Sequence, residues 1–321
     1  MSAADELKSV VRYMRAQTER ALAGRQLAGI EVPADPAAGR HASYWLHRAP
    51  GDGPRPVVFE IHGGGFALGT ARKEDALCEW VSAAFDVHVV GIEYRLAPEH
   101  PAPAALDDVR AVMAHVASGA VCAADPMRLY ALGYSAGADL ALAAALASQT
   151  GACPPLAGLA LHYPFLDAAT PPDQERMRAI DLPGDLVAAF NEWYVADGDA
   201  RNPLISPAFA SDEALAALPP IALYPVEGDF LKGQADALRD RLEAVGAAVR
   251  YRAVAGVYHG YVEDAADLET YRAISLASTV AERPRDFVAK AASNLRTSLE
   301  DVIGPAQRDV PFPGERGGEG R

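Results

Sequence analysis

The strongest constraint on the fold is an alternation of short, β-branched apolar runs with helix-length segments. Pro56-Val-Val-Phe-Glu-Ile-His62 is such a run, and it stops at three glycines. Apolar runs bounded by turn residues suit strands buried on both faces of a parallel sheet. The same pattern predicts strands over residues 43–47, 87–94, 129–133, 156–163, 221–227 and 249–254. Helical spacing predicts helices over 74–85, 104–117, 138–148 and 234–245, and an amphipathic helix over 5–22 that Gly24 ends. Strands alternating with helices of this length form βαβ units. The expected fold is therefore one α/β domain, its mostly parallel central sheet flanked by helices.

Two segments break the rhythm. Residues of about 168–215 are long for a connection between strands and carry the aromatic group Phe190, Trp193 and Tyr194. Such insertions are usually lids or binding elements, so 168–215 and residues 1–40 are expected to form a helical cap. Past Ile303 the chain is rich in Gly, Pro and charge, and 304–321 is expected to be a disordered tail.

Bulk properties exclude several function classes. A net charge of −14 over 321 residues opposes nucleic-acid binding, which needs clustered Lys and Arg. Cys78, Cys122 and Cys153 form no C-x-x-C pair, so neither a zinc site nor a disulfide framework is expected. Three free thiols fit a reducing compartment. The N-terminus lacks a basic segment followed by an apolar one, so no signal peptide is expected. The longest apolar stretches, such as 141–147, are too short for a membrane span. A cytoplasmic location follows as the expectation. An edge strand could also support a homodimer, although no residue signals one directly.

The chemistry centres on Gly133-Tyr134-Ser135-Ala136-Gly137, which ends a predicted strand and opens a predicted helix. A nucleophile elbow needs that strand–turn–helix setting, with small residues two positions either side of the serine. His62-Gly63-Gly64-Gly65-Phe66 follows another buried strand. Its glycines allow backbone N–H groups to approach a ligand closely, as an acyl-transfer site requires for its oxyanion. Gly63, Gly64 and Ala136 are the expected oxyanion donors.

A serine hydroxyl needs a base. Among eight histidines only His162 and His259 follow Ser135, and His162 lies inside a predicted strand, where packing or a core hydrogen bond is expected. With the chain order serine, acid, histidine, His259 is the base. Glu227 and Asp229 both qualify as the acid by position after the 221–227 strand. Asp229 is preferred because Glu227 still belongs to the strand end. Phe66, Tyr134, Phe165, Trp193 and Tyr194 are candidates to line a substrate pocket.

These motifs resemble the hormone-sensitive-lipase-like branch of the α/β-hydrolases. The resemblance is carried by His62-Gly-Gly-Gly-Phe66, Tyr94-Arg-Leu-Ala-Pro-Glu-His-Pro101, Gly133-Tyr-Ser-Ala-Gly137, Gly228-Asp229 and Tyr258-His259-Gly-Tyr261. It spans roughly residues 40–262 and implies a carboxylic ester hydrolase for small-molecule esters with short or medium acyl chains. It implies no metal and no organic cofactor. The chain departs from the family pattern at Tyr134, where Asp is common, at Ala138 and Asp139, where Gly and Asn are common, and at Phe230, where Pro is usual. The loop from Tyr94 to His100 is expected to buttress the glycine turn through ion pairs. The same triad could serve an amidase, a formamidase or an acyltransferase. A non-catalytic binding protein on this fold is the rival of a different class.

Overall fold

A computed structural model describes residues 3–171, 184–270 and 286–318 of the chain. Eight strands form one sheet in the order β1-β2-β4-β3-β5-β6-β7-β8. They are β1 (Ile30–Val32), β2 (Ser43–His47), β3 (Arg55–Ile61), β4 (His88–Glu93), β5 (Ala124–Tyr134), β6 (Gly158–His162), β7 (Ile221–Tyr224) and β8 (Val249–Tyr251). β2 pairs antiparallel with both β1 and β4, and the remaining pairings, from β4–β3 across to β7–β8, are parallel. A single bridge between Val226 and Val254 extends the β7–β8 edge beyond the regular ladder.

The pleat sends alternate side chains to two cores. Val57, Phe59 and Ile61 of β3 join a core beneath α3 (Ala104–Ala117), α4 (Ala136–Ser148) and α7 (Lys232–Ala244). Val58, with Tyr130, Leu132 and Tyr134 of β5, joins the opposite core beneath α2 (Asp75–Phe85), α8 (Tyr261–Ala266) and α9 (Phe287–Ile303). α4 is buried almost all round, which its Ala-Leu composition permits because small side chains let it sit close to β5 and β6. α9 has no counterpart among the expected elements, yet Phe287, Ala291, Leu295 and Leu299 recur every four residues and are buried on one face. α6 (Asp212–Ala216) begins at Ser211, whose side chain accepts from the Ala214 N–H.

Two expectations need correction. The stretch after Ile303 packs on the domain: Gln307 N–H donates to the Ala84 carbonyl at 2.7 Å, and Phe312 is buried edge-on against Trp80 with ring centroids 5.3 Å apart. The Trp80 indole N–H also donates to the Val310 carbonyl at 2.9 Å. Gly and Pro in this stretch shape a packed surface strap, and its one buried aromatic anchors it. The 1–40 segment is also not all cap, because β1 within it forms the sheet edge. α1 (Ala3–Leu22) does pack on α5 (Gly184–Val195), where Val11 meets Leu186 and Phe190. Part of the 168–215 insertion, residues 172–183, lies outside the described residues, as do 319–321 of the tail.

Candidate active site

Ser135 sits between β5 and α4 at φ 50° and ψ −116°, a conformation that is costly for a residue with a Cβ. The turn is held on both sides: Ser135 N–H donates to the His162 carbonyl at 3.1 Å, and its own carbonyl accepts from Phe165 N–H at 3.2 Å. The flanking glycines are required by close approach. A Cβ on Gly137 would lie 1.9 Å from the Ile61 carbonyl oxygen, and one on Gly133 would lie 2.5 Å from the Gly137 carbonyl oxygen. The elbow is therefore pressed directly against the end of β3.

His259 Nε2 lies 3.0 Å from Ser135 Oγ, and His259 Nδ1 lies 2.8 Å from Asp229 Oδ2. A carboxylate only accepts, so Nδ1–H donates to Asp229 and Nε2 is left to accept the serine proton. Asp229 follows β7, its side chain is fully buried, and its other oxygen accepts from Leu231 N–H at 3.2 Å. Glu227 points outward, half exposed, toward Lys232 at 4.0 Å. Of the two carboxylates the sequence leaves open, Asp229 is the one that reaches the imidazole. Burial works against a charged His259, but Asp229, with Glu263 and Asp264 behind it, raises its pKa above the ordinary value of 6.5.

Gly63 and Ala136 both adjoin Ser135, and Gly64 follows Gly63 in the same turn. A Cβ on Gly63 would lie 3.5 Å from Ser135 Cβ, and Ala136 is the first residue of α4. Among the described residues no protein acceptor takes the N–H of any of the three. Their donors can thus face a ligand oxygen, and the N-terminal end of α4 favours negative charge there.

The glycine turn is buttressed from two sides. His62, fully buried and held neutral with its pKa pushed down to about 4 by burial, stacks on Tyr94 at 4.2 Å. Tyr94 O–H donates to the His62 carbonyl at 2.9 Å. Arg95 grips Asp108 with two nitrogens at 2.8 and 2.9 Å. Arg15 of α1 donates to the carbonyls of Ala67 and Ala97 at 2.8 and 2.6 Å and pairs with Glu99 at 2.9 Å. The imidazole of His162, the other late histidine, turns into the core, 2.8 Å from the Ser298 hydroxyl.

Of the five aromatics expected at a substrate pocket, Phe165 lines a cavity. Phe165, Val187, Asn191, Phe230, Leu231 and Gln234 are among the walls of a cavity of about 230 Å³. Phe230, which sequence reasoning noted only as a departure from proline, stands between that cavity and the base, 5.5 Å from the His259 ring. Phe66 and Tyr194 are buried and stacked on each other at 3.6 Å, behind Phe165. Trp193 packs with Phe190 at the α1–α5 contact. Tyr134 corrects the expectation most sharply: its side chain follows the pleat into the opposite core and has no exposed surface. A residue beside the nucleophile in sequence thus faces away from it in space.

Comparison with known proteins fits this geometry. A family profile described as alpha/beta hydrolase fold matches residues 58–263. Esterase LipI of Mycobacterium tuberculosis is 35% identical over 236 residues, covering 73% of each chain. The carboxylic ester hydrolase LipN of the same organism is 34% identical over 279 residues, covering 80% of this chain and 71% of LipN. The hyperthermophilic esterase of Pyrobaculum calidifontis superposes with a TM-score of 0.69 at 26% identity, covering 90% of this chain and 92% of that one. The chain belongs to the α/β-hydrolase family, on its hormone-sensitive-lipase-like carboxylesterase branch.

Proposed function

We propose that the protein is a serine carboxylic ester hydrolase that cleaves short- to medium-chain acyl esters through an acyl-enzyme on Ser135. The observation that carries this reading is the 3.0 Å contact between Ser135 Oγ and His259 Nε2 on a strained elbow. His259 takes the serine proton as Oγ adds to the ester carbonyl. The carbonyl oxygen becomes an oxyanion facing the N–H groups of Gly63, Gly64 and Ala136, and each such donor supplies about 3–4 kcal/mol to the transition state. Collapse breaks the bond to the alcohol, which leaves with the proton from His259. Water then adds to the acyl-enzyme, His259 receives its proton, and the acid departs as that proton returns to Ser135. Asp229 keeps the imidazole in the required tautomer and stabilises its protonated form.

The cavity of about 230 Å³ beside Phe165 and Phe230 supports small substituents. α1 and α5, packed together above the glycine turn, support the reading of a cap that shields the site from water. Three free, buried cysteines fit a cytoplasmic location. No helix among the described residues is long and apolar enough to cross a membrane.

The test is hydrolysis of p-nitrophenyl esters from acetate to dodecanoate by the wild type and by Ser135→Ala. The expected result is turnover concentrated at the short end of the series and abolished in the variant. Undiminished turnover by Ser135→Ala refutes the reading.

A further inference from the structure

Beyond the triad, the structure places a buried carboxyl where it touches both halves of the site. Glu263 lies in the first turn of α8, four residues after His259. Its Oε2 accepts the Tyr163 hydroxyl at 2.6 Å. The Tyr163 ring in turn packs against the His259 ring at 5.0 Å and 60°. The other oxygen, Oε1, lies against the oxyanion turn, where a Cβ on Gly63 would come within 2.7 Å of it. Nothing in the triad mechanism calls for this residue, and a carboxyl buried without a task is costly.

We infer that Glu263 is a positioning residue, holding the His259 ring through Tyr163 and bracing Gly63 with its second oxygen. One side chain thereby sets the separation between the base and the oxyanion donors. The inference rests on His259 being the base of the proposed esterase. The hydroxyl-to-oxygen distance of 2.6 Å fits Glu263 accepting as a carboxylate. Burial, with Asp264 beside it, raises the Glu263 pKa above the usual carboxylate value, against Lys73, Tyr163 and His259, which favour the charge. Lys73, from the segment before α2, pairs with the neighbouring Asp264 at 3.3 Å. The other groups whose charges or phenols act with Glu263 are Glu60 of β3, Glu74 before α2, Tyr94 after β4 and Tyr134 of β5. As a carboxylate, Glu263 also favours the protonated imidazole that forms when Ser135 attacks.

The experiment compares wild type, Glu263→Gln and Tyr163→Phe in two readouts: the pH profile of kcat/KM on p-nitrophenyl butyrate, and direct NMR titration of the His259 imidazole. Gln keeps the size and can still accept from Tyr163, but carries no charge. It should move the acidic limb and the imidazole titration down by about half a pH unit or more. Phe keeps the ring contact and removes the donor, which makes Glu263 easier to protonate. It should move both readouts in the same direction and lower kcat several-fold with KM little changed. A merely structural role would change yield or stability and leave the titration in place.

An unchanged titration in folded Glu263→Gln overturns the inference. If that variant fails to fold, an unchanged titration and kcat in Tyr163→Phe overturn it. A wild type no faster than Ser135→Ala would instead sink the esterase reading, and the NMR titration would still decide the role of Glu263.

Discussion

Replacing Gly137 by Ala adds a single methyl group, and the structure allows its effect to be worked out. The new Cβ would fall 1.9 Å from the Ile61 carbonyl oxygen and 2.5 Å from that of His62, whereas real Cβ atoms essentially never approach within 3.0 Å. Both clashing atoms are backbone at the end of β3, so no rotamer change relieves them. α4 and the end of β3 must separate by about 1 Å, with an overpacking cost of ~1–3 kcal/mol. That separation also pulls Ala136 on α4 away from Gly63 and Gly64 beyond β3, opening the oxyanion site. A misplacement of about 1 Å typically costs ~10²-fold in rate, or about 2.7 kcal/mol of transition-state stabilisation. The expected outcome is a folded protein with kcat/KM on p-nitrophenyl butyrate lowered by about two orders of magnitude and a reduced urea midpoint. The assay pairs ester turnover with urea denaturation followed by tryptophan fluorescence. Wild-type kcat/KM together with an unchanged midpoint would refute the claim that the elbow is pressed against β3.

Three further outcomes are expected. His259 accepts a proton only when neutral, and its pKa is raised above 6.5, so kcat/KM should fall with decreasing pH through a midpoint above that value. Asp229→Asn removes the largest charge sustaining that shift and should move the midpoint down while lowering kcat by roughly 10⁴-fold. A midpoint at or below 6.5 in the wild type would contradict the electrostatic account. At the far end of the molecule, Phe312→Ala should cost ~3–5 kcal/mol by emptying the pocket against Trp80, while ester turnover at 25 °C stays close to wild type. No loss in a thermal melt would mean that the C-terminal strap contributes nothing to stability.

Much of the fold is legible locally, because strand and helix periods are written into a few neighbouring residues. The helix over 104–117 has the same limits in sequence and structure. The expected strand over 129–133 runs longer, from Ala124 to Tyr134: Ala124 pairs with Arg55, and the register then shifts before Leu129 pairs with Val57, over residues with no apolar pattern to announce a strand. α9 is not among the expected helices although its apolar residues recur at i+4, because no strand or turn motif frames that stretch. The tail misleads for a related reason. Gly and Pro describe its backbone, but the partner that orders it, Trp80, is 230 positions from Val310.

The sequence alone carries the α/β alternation and points to the elbow serine, the glycine turn and, through chain order, the histidine. Those are local or ordinal properties, readable without coordinates. Only the tertiary structure shows that Asp229 and not Glu227 reaches the imidazole, because side-chain direction at the end of β7 depends on what packs beneath it. It also turned Tyr134 away from the substrate, made Phe230 a cavity wall, and set Glu263 against Tyr163 and Gly63. Each of these is a meeting of residues from separate strands and helices. Their geometry is the sum of many distant contacts, and no window of sequence contains it.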